Sequence, residues 1–217
     1  MAIKNDREYR NMTMEVRSLE NEGTPDERKM VTGYASTFNE PYTLYEDENW
    51  RFNEVVDARA FDKTDMSDVI MQYDHEGRVF ARISNNTLTV IPDERGLLIE
   101  ADLGGTELGR QLFEEIRGGY TNKMSFGFTV DGEDILDTKD IDGKALTVRT
   151  ITSVRKLYDV SAVSLPANDA TSISVRSLTD GEIERIRAER LEAERVETER
   201  RRAIVTAKAM LNGGNNE

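Results

Sequence analysis

A serine with little bulk around it lies in a segment that alternates as a β-strand does. The segment reads YTNKMSFGFTV from residue 120, and its large apolar residues alternate with serine, glycine and threonine. Because successive side chains of a strand point to opposite faces, one face is apolar and the other is small and hydroxylic. Ser125 lies on the small face, where a substrate can approach it, and is a candidate nucleophile. The alternative, and the more common case, is an ordinary strand serine.

His75 is the only histidine in the chain, and it follows a strand-like segment. It lies in MQYDHEGRVF, directly before Gly77, which places it at a strand end or in a loop. Histidine is the usual general base at neutral pH, since an unperturbed imidazole titrates near about pH 6.5. If Ser125 is activated by a histidine, His75 is the only candidate. A single histidine more often has only a surface or packing role.

Asp159 interrupts an otherwise apolar strand-like segment, RKLYDVSAVSLPAND, which begins at residue 155. Burying a carboxylate is costly unless it is paired, so Asp159 predicts a partner. One possible partner is an imidazole N–H, as in a serine–histidine–acid triad. The alternative is a guanidinium group, for which Arg149 and Arg155 are the candidates.

The composition excludes several other chemistries. The 217 residues include no cysteine and one histidine, which rules out disulfides, thiolate metal sites, cysteine nucleophiles and multi-histidine centres. The net charge of -13 argues against a general nucleic-acid binder and against a polybasic membrane-surface protein. No stretch approaches the roughly 18 apolar residues of a membrane span. We predict no cofactor and no metal; a hydrolase with paired acids is a distant alternative, because no two carboxylates stand out.

Segments of β-branched and aromatic residues recur between turn residues and predict a mainly β body. Roughly nine such segments occur, and regular helices do not separate them. They lie at 14–19, 29–38, 68–73, 78–83, 87–91, 96–103, 123–130, 145–165 and 172–176. This pattern favours an antiparallel β-barrel or sandwich flanked by a few helices over a parallel doubly wound sheet. One short helix is predicted at Ala58–Thr64. A better-defined helix is predicted at Glu107–Arg117, with Thr106 as its N-cap and Gly118 at its end.

The composition changes near residue 180 to glutamate, arginine, alanine and leucine, all good helix formers. Opposite charges recur there at helical spacing, in Glu184 with Arg187, Glu192 with Arg195, and Glu197 with Arg201. The apolar stripe is thin, which predicts a solvated or weakly coiled charged helix. We therefore predict a flexible N-terminus (1–12), a folded domain (13–178) and a charged helical C-terminal tail (179–217).

Taken together and in order, these segments resemble the prohead (capsid maturation) serine proteases of tailed bacteriophages, which are related to herpesvirus assemblins. The likeness runs from about Thr13 to Arg176. It rests on GYASTFNEP (33–41), FNEVVDARAFD (52–62), YDH (73–75), GLLIEADL (96–103), NKMSFGF (122–128) and DVSAVSLPAN (159–168).

By this resemblance, Ser125 is the nucleophile, His75 the general base and Asp159 the orienting acid. The family motif often carries glutamate at the position of Asp159. Aspartate is shorter by one methylene, so the reach of Asp159 to His75 is a question for the structure. Herpesvirus relatives use a second histidine, which this chain does not have.

The resemblance also implies a serine endopeptidase with a β-barrel flanked by helices. Its expected substrates are the capsid protein with its scaffolding segment, or a separate scaffold protein, and the protease itself. Its expected place is inside the phage procapsid in the host cytoplasm, with no nucleic-acid or membrane partner and with homo-oligomerisation open. We hypothesise that the C-terminal helix recruits it to a scaffold; the alternative is a solvated helix without a partner. A second function compatible with the sequence is a non-enzymatic assembly or scaffolding module on the same fold.

Overall fold

The computed structural model describes residues 7–12, 17–18 and 28–164, and the helical positions 188–189, 191–192, 195–196 and 198–200. Most of the described residues lie in strands. The strands are β1 (Glu8–Met12), β2 (Arg17–Ser18), β3 (Met30–Thr37), β4 (Tyr42–Glu46), β5 (Trp50–Val56), β6 (Ile70–Tyr73), β7 (Glu76–Arg82), β8 (Leu88–Pro92), β9 (Gly96–Asp102), β10 (Lys123–Lys139) and β11 (Ala145–Val163). A 3-10 turn spans Ile83–Asn85, and the helix α1 spans Glu107–Arg117.

The strands form two sheets. The larger sheet has the order β1-β10-β11-β5-β4, with β6 and then β7 added along the far part of β11. The 19-residue β11 is long enough to take two parallel partners on one edge, β5 along its first part and β6 along its last part. Its other edge is antiparallel to β10, which is in turn antiparallel to β1. The smaller sheet, β2-β3-β9-β8, is antiparallel throughout.

The alternation predicted for β10 is observed, and its apolar face forms part of the core. Met124, Phe126, Phe128 and Val130 are all buried, and the rings of Phe126 and Phe128 stack with centroids 4.5 Å apart. Full burial of a side chain of this size stabilises the fold by about 1.5–3 kcal/mol. The small face is buried as well, since residues 125, 127 and 129 are also inaccessible. The space around Ser125 is therefore filled by protein groups.

The prediction of a mainly β body with few helices is confirmed. Within residues 7–12, 17–18 and 28–164 we find two sheets and no closed barrel, so the barrel stays a prediction. The larger sheet is mixed, because β11 pairs in parallel with β5 and β6. Strands β1, β4 and β5 were not predicted. The predicted segment at 172–176 lies outside the described residues.

The short helix predicted at Ala58–Thr64 is wrong, because this segment forms consecutive turns. The N–H groups of Ala60, Asp62 and Thr64 each donate to the carbonyl three residues earlier. The backbone oxygen of Ala60, which would accept the i+4 bond of an α-helix, accepts instead from the N–H of Val154 at 2.8 Å. A hydrogen bond to β11 thus takes the place of one that an α-helix would need.

The helix predicted at Glu107–Arg117 is confirmed, including both ends. Thr106 caps it, since its Oγ1 accepts from the N–H of Gly109 at 2.9 Å. The N–H of Gly118 bonds back to the last turn. The face of α1 that includes Leu112 and Ile116 is buried in the core.

The chain divides into two compact units, 1–177 and 178–217, next to the predicted boundary. At the N-terminus, residues 1–12 were predicted to be flexible, whereas Glu8–Met12 form β1. The described positions of the second unit are helical, and the predicted pair of Glu192 with Arg195 is present at 2.6 Å. The other two predicted pairs lie outside the described residues. No helix in the described part of the chain is long and apolar enough to cross a membrane.

Candidate active site

Three neighbouring strands of the larger sheet bring the predicted site residues together. Ser125 lies on β10 opposite Ser161 of β11. Asp159 lies two residues earlier on β11, and its other neighbour is Ile70 at the start of β6. His75 follows the end of β6. Because β6 runs parallel to β11, the chain leaves β6 beside the carboxyl end of β11, the part of the sheet that contains Asp159 and Ser125.

A tight two-residue turn sets the position of His75. Asp74 and His75 join β6 to β7, and both have left-handed backbone angles, with φ of 48° and 60°. Such angles are costly for residues with side chains unless other contacts hold them. The carboxylate of Asp74 supplies such contacts, since it accepts from the N–H and the hydroxyl of Ser164, both at 2.9 Å. These hydrogen bonds attach the turn to Ser164, the residue that directly follows β11.

The imidazole of His75 bridges Ser125 and Asp159. Nδ1 lies 2.5 Å from Oδ1 of Asp159, and Nε2 lies 2.5 Å from Oγ of Ser125. An aspartate therefore reaches His75 in this chain. Since an ionised carboxylate only accepts hydrogen bonds, Nδ1 of a neutral imidazole must donate to it. Nε2 is then the acceptor for the proton of the Ser125 hydroxyl.

Ser125 and Asp159 are fully buried, and the side chain of His75 is 15% exposed. The hydroxyl of Ser125 also lies 2.8 Å from the backbone oxygen of Arg10 on β1, a second acceptor for the same proton. The hydroxyl of Ser161 donates to Oδ1 of Asp159 at 2.9 Å. The site is thus desolvated, and electrostatic interactions inside it are stronger than they would be in water.

The carboxyl of Asp159 has a pKa below its ordinary value. Burial acts in the opposite direction and raises this pKa, but it is outweighed. The hydrogen bond from His75, the charge of Arg7 and the hydrogen bond from Ser161 all favour the ionised form. Asp159 is therefore a carboxylate at neutral pH.

The arginine that pairs with Asp159 is neither of the two predicted candidates. Arg7 forms a salt bridge with Oδ2, whereas His75 contacts Oδ1. Arg149 lies in a separate ion cluster, and Arg155 lies 3.4 Å from Asp131. Sequence reasoning missed Arg7 because it lies 152 residues from Asp159 and no local spacing links the two.

A buried ion cluster holds β1 against the sheet. It consists of Glu8 and Arg10 of β1, Glu54 of β5 and Arg149 of β11, each at most 5% exposed. Arg10 meets Glu54 at 2.5 and 2.9 Å, and Arg149 meets Glu54 at 2.8 Å and Glu8 at 2.7 and 3.0 Å. Tyr42 donates to Glu54 at 2.5 Å. The two buried carboxylates and two buried guanidinium groups balance in charge, as burial of charge requires, and Arg149 also pairs with the partly exposed Glu133 at 2.5 Å.

The pKa of Glu8 shows how well this cluster compensates for burial. Burial raises the pKa, but the hydrogen bond from Arg149 and the charges of Arg10 and Arg149 lower it to about 2. The pKa of Glu54 is also below its ordinary value, since the two arginines outweigh its burial. Both acids are ionised at neutral pH. Among the described residues, no group of three or more acidic or histidine side chains is placed to hold a metal ion.

Comparison with protein families finds a match over most of the chain. The model described as caudovirus prohead serine protease matches residues 12–185, which is most of the chain. The matched range contains Ser125, His75 and Asp159. No curated protein and no solved structure matches the chain. The family resemblance expected from the sequence segments is thus confirmed.

Proposed function

The chain belongs to the caudovirus prohead serine protease family, and we propose that it is a serine endopeptidase with Ser125 as nucleophile and His75 as general base. The observation that best supports the proposal is the position of His75, whose two ring nitrogens lie 2.5 Å from Ser125 and from Asp159. The nucleophile, base and orienting acid of a serine protease need this arrangement.

The chemistry follows from the hydrogen bonds. Oγ of Ser125 attacks the carbonyl carbon of the scissile peptide while its proton passes to Nε2 of His75, and the carbonyl oxygen becomes an oxyanion. The C–N bond then breaks, and Nε2 returns the proton to the leaving amine, which leaves an ester on Ser125. A water molecule, deprotonated by His75, hydrolyses this ester. Asp159 stays ionised throughout and stabilises the imidazolium.

Access to the nucleophile needs a movement. Ser125 is fully buried, so a peptide reaches Oγ only after the groups that cover it have moved. We propose that binding of the capsid protein, or assembly into the procapsid, favours the open form. Proteolysis before assembly would then be restrained.

The proposed substrates are the capsid protein with its scaffolding segment, or a separate scaffold protein, together with the chain itself. Cleavage would take place inside the procapsid in the host cytoplasm, so that fragments leave and the shell matures. Self-cleavage and homo-oligomerisation are further parts of the proposal. The family supports the part of the proposal that concerns capsid maturation.

The test is cleavage of the phage's own capsid and scaffold proteins, followed by mass spectrometry. The wild-type chain is expected to cleave, and Ser125→Ala is expected to lose on the order of 10⁴–10⁶ in rate. Ser36→Ala is a matched control, because Ser36 is an equally buried serine on β3, in the other sheet, and its hydroxyl donates to the backbone oxygen of Thr37. Cleavage that persists in Ser125→Ala would exclude this nucleophile. If neither the wild-type chain nor the variant cleaves while both are folded and assembled with the capsid protein, the non-enzymatic scaffolding function is favoured.

A further inference from the structure

The carboxylate of Asp159 is held on two sides. Oδ1 accepts from Nδ1 of His75 and from the hydroxyl of Ser161. Oδ2 pairs with the guanidinium of Arg7. A carboxylate fixed at one oxygen only is free to rotate about its bond to Cβ. With both oxygens engaged, the plane of the carboxylate is fixed relative to the imidazole.

The guanidinium of Arg7 is itself held by two aromatic rings. Its central carbon lies 4.5 Å from the ring centroid of Tyr158 and 5.1 Å from that of Tyr9. Tyr9 also packs edge-on against His75, with ring centroids 4.5 Å apart and an interplanar angle of 61°. Arg7 and Tyr9 therefore contact the acid and the base of the candidate triad, respectively.

Gly127 provides the space in which these groups meet. It lies on β10 opposite Tyr9 on one side and Asp159 on the other. A Cβ at this position would lie 2.4 Å from Oδ2 of Asp159, 2.8 Å from Cε1 of Tyr9 and 3.0 Å from Nε of Arg7. The side chains of Arg7, of Tyr9 on β1 and of Asp159 on β11 thus converge on a volume that only a glycine leaves open.

The buried ion cluster fixes β1, the strand that supplies Tyr9 and directly follows Arg7. Successive residues of β1 alternate in direction, so Glu8 and Arg10 enter the ion cluster while Tyr9 faces the triad. The cluster is buried and charge-balanced, and removal of one member leaves an unpaired charge. Strand β1 is therefore a fixed part of the site.

On the basis of the proposed function, we propose that Arg7 is a positioning residue, which holds the carboxylate of Asp159 in the orientation that keeps His75 in its reactive tautomer. Arg7 acts through Asp159 and does not touch the substrate in this role. An ordinary partly exposed ion pair contributes little to stability. If Arg7 had only a structural role, Arg7→Ala would change stability, kcat and the imidazole spectrum little. If Arg7 is a positioning residue, the substitution lowers kcat and alters the imidazole spectrum while stability changes little.

The single histidine makes the orientation of the imidazole directly measurable. In the full ¹⁵N-labelled chain without a polyhistidine tag, a two-bond ¹H–¹⁵N correlation spectrum at pH 7 shows one imidazole, that of His75. The wild-type chain is expected to show the Nδ1–H tautomer. Arg7→Ala is expected to populate a second tautomer and to lower kcat by roughly 10- to 100-fold with KM unchanged, the scale of a misplaced catalytic group.

Two further variants separate positioning from packing. Arg7→Lys keeps the positive charge and is expected to recover part of both the tautomer and kcat. Arg95→Ala is the matched control, because Arg95 also stacks on a tyrosine ring, 4.6 Å from the centroid of Tyr34, in the other sheet. It is expected to leave the imidazole spectrum and kcat unchanged.

The outcomes distinguish this inference from the proposed function. An Arg7→Ala chain with the wild-type spectrum and the wild-type kcat overturns the positioning role, while the protease proposal stands. A wild-type chain that shows the fixed tautomer, loses it in Arg7→Ala and cleaves nothing supports the positioning role and contradicts the protease proposal. An equal loss of kcat and of the fixed tautomer in Arg7→Ala and Arg95→Ala also overturns the positioning role, since it indicates a general effect on the fold.

Discussion

The hydroxyl of Ser125 lies 2.8 Å from the backbone oxygen of Arg10, so β1 contributes an acceptor to the nucleophile. The same hydroxyl lies 2.5 Å from Nε2 of His75. A hydroxyl has one proton to donate, so the two acceptors compete for it. Donation to His75 prepares the nucleophile for attack. Donation to Arg10 leaves it satisfied but unreactive.

This second acceptor predicts that His75→Ala removes activity without unfolding the protein. The buried hydroxyl of Ser125 keeps a partner in the variant, so no buried donor is left unsatisfied. We expect the cleavage rate to fall on the order of 10⁴–10⁶ and the melting temperature to change by only a few degrees, about the shift that 1 kcal/mol produces. A variant that keeps its secondary structure by circular dichroism and cleaves within tenfold of wild type would contradict the assignment of His75 as base.

Two substitutions at Asp159 are expected to separate the effect of its charge on kcat from the effect of its size. Asp159→Asn keeps the size but no longer favours the Nδ1–H tautomer, so we expect kcat to fall by about 10⁴, as in the serine protease triad. Asp159→Glu keeps the charge, and glutamate is common at this position in the resembled family. We expect it to retain more activity than Asp159→Asn, measured as kcat on the same capsid protein. The reverse order would mean that the charge of Asp159 is not needed.

Gly127→Ala is expected to disturb the site from within the sheet. The added Cβ would lie 2.4 Å from Oδ2 of Asp159, so the carboxylate or the strand must shift. We expect loss of unfolding free energy of about 1–3 kcal/mol and a kcat at least tenfold lower. Gly105→Ala is the control, because nothing lies within 4 Å of a Cβ at that position. Equal stability and activity for both alanine variants would show that the space at Gly127 is not needed.

The ion cluster predicts a specific loss of stability in acid. The pKa of Glu8 is lowered to about 2 in the folded protein, so its contribution is complete above the ordinary range near 4.5 and is lost as the pH falls toward 2. A difference of this size corresponds to about 3 kcal/mol. Glu8→Gln is therefore expected to be less stable than wild type at pH 7, and the gap should narrow as the pH falls from about 5 to 2.

Urea denaturation at several pH values measures this effect. Glu46→Gln is the control, since Glu46 also has a pKa lowered to about 2, by its hydrogen bonds from Arg51 and Lys144, but is exposed to solvent. Exposed pairs are screened, so we expect this variant to stay close to wild type at every pH. A constant gap between Glu8→Gln and wild type across the range would show that the charge of Glu8 does not stabilise the fold.

Deletion of residues 180–217 tests the proposed recruiting role of the charged tail. The division of the chain at 177 and 178 predicts that the remaining unit keeps its cleavage rate in solution. If the tail recruits the protease to a scaffold, the truncated chain should be depleted from procapsids, as measured by immunoblotting of purified particles. Unchanged incorporation would mean that the tail is a solvated helix without this partner.

The sequence determined the identities of the candidate residues and the elements that carry them. The alternation in NKMSFGF located Ser125 on the small face of β10, and the capping residues located α1. The absence of a second histidine left His75 as the only histidine able to act as base. These signals are local, because helix and strand periodicity and end residues are read within one segment.

Only the tertiary structure decided what surrounds those residues. Arg7 lies 152 residues from Asp159, and His75 lies 84 residues from it, so neither contact has a signature in local spacing. Their meeting depends on the antiparallel pairing of β1 with β10 and on the parallel pairing of β6 with β11. A shift of one residue in either register would turn these side chains to the opposite face. The sequence therefore predicted the serine, the histidine and the acid, while strand register decided that an N-terminal arginine holds the acid.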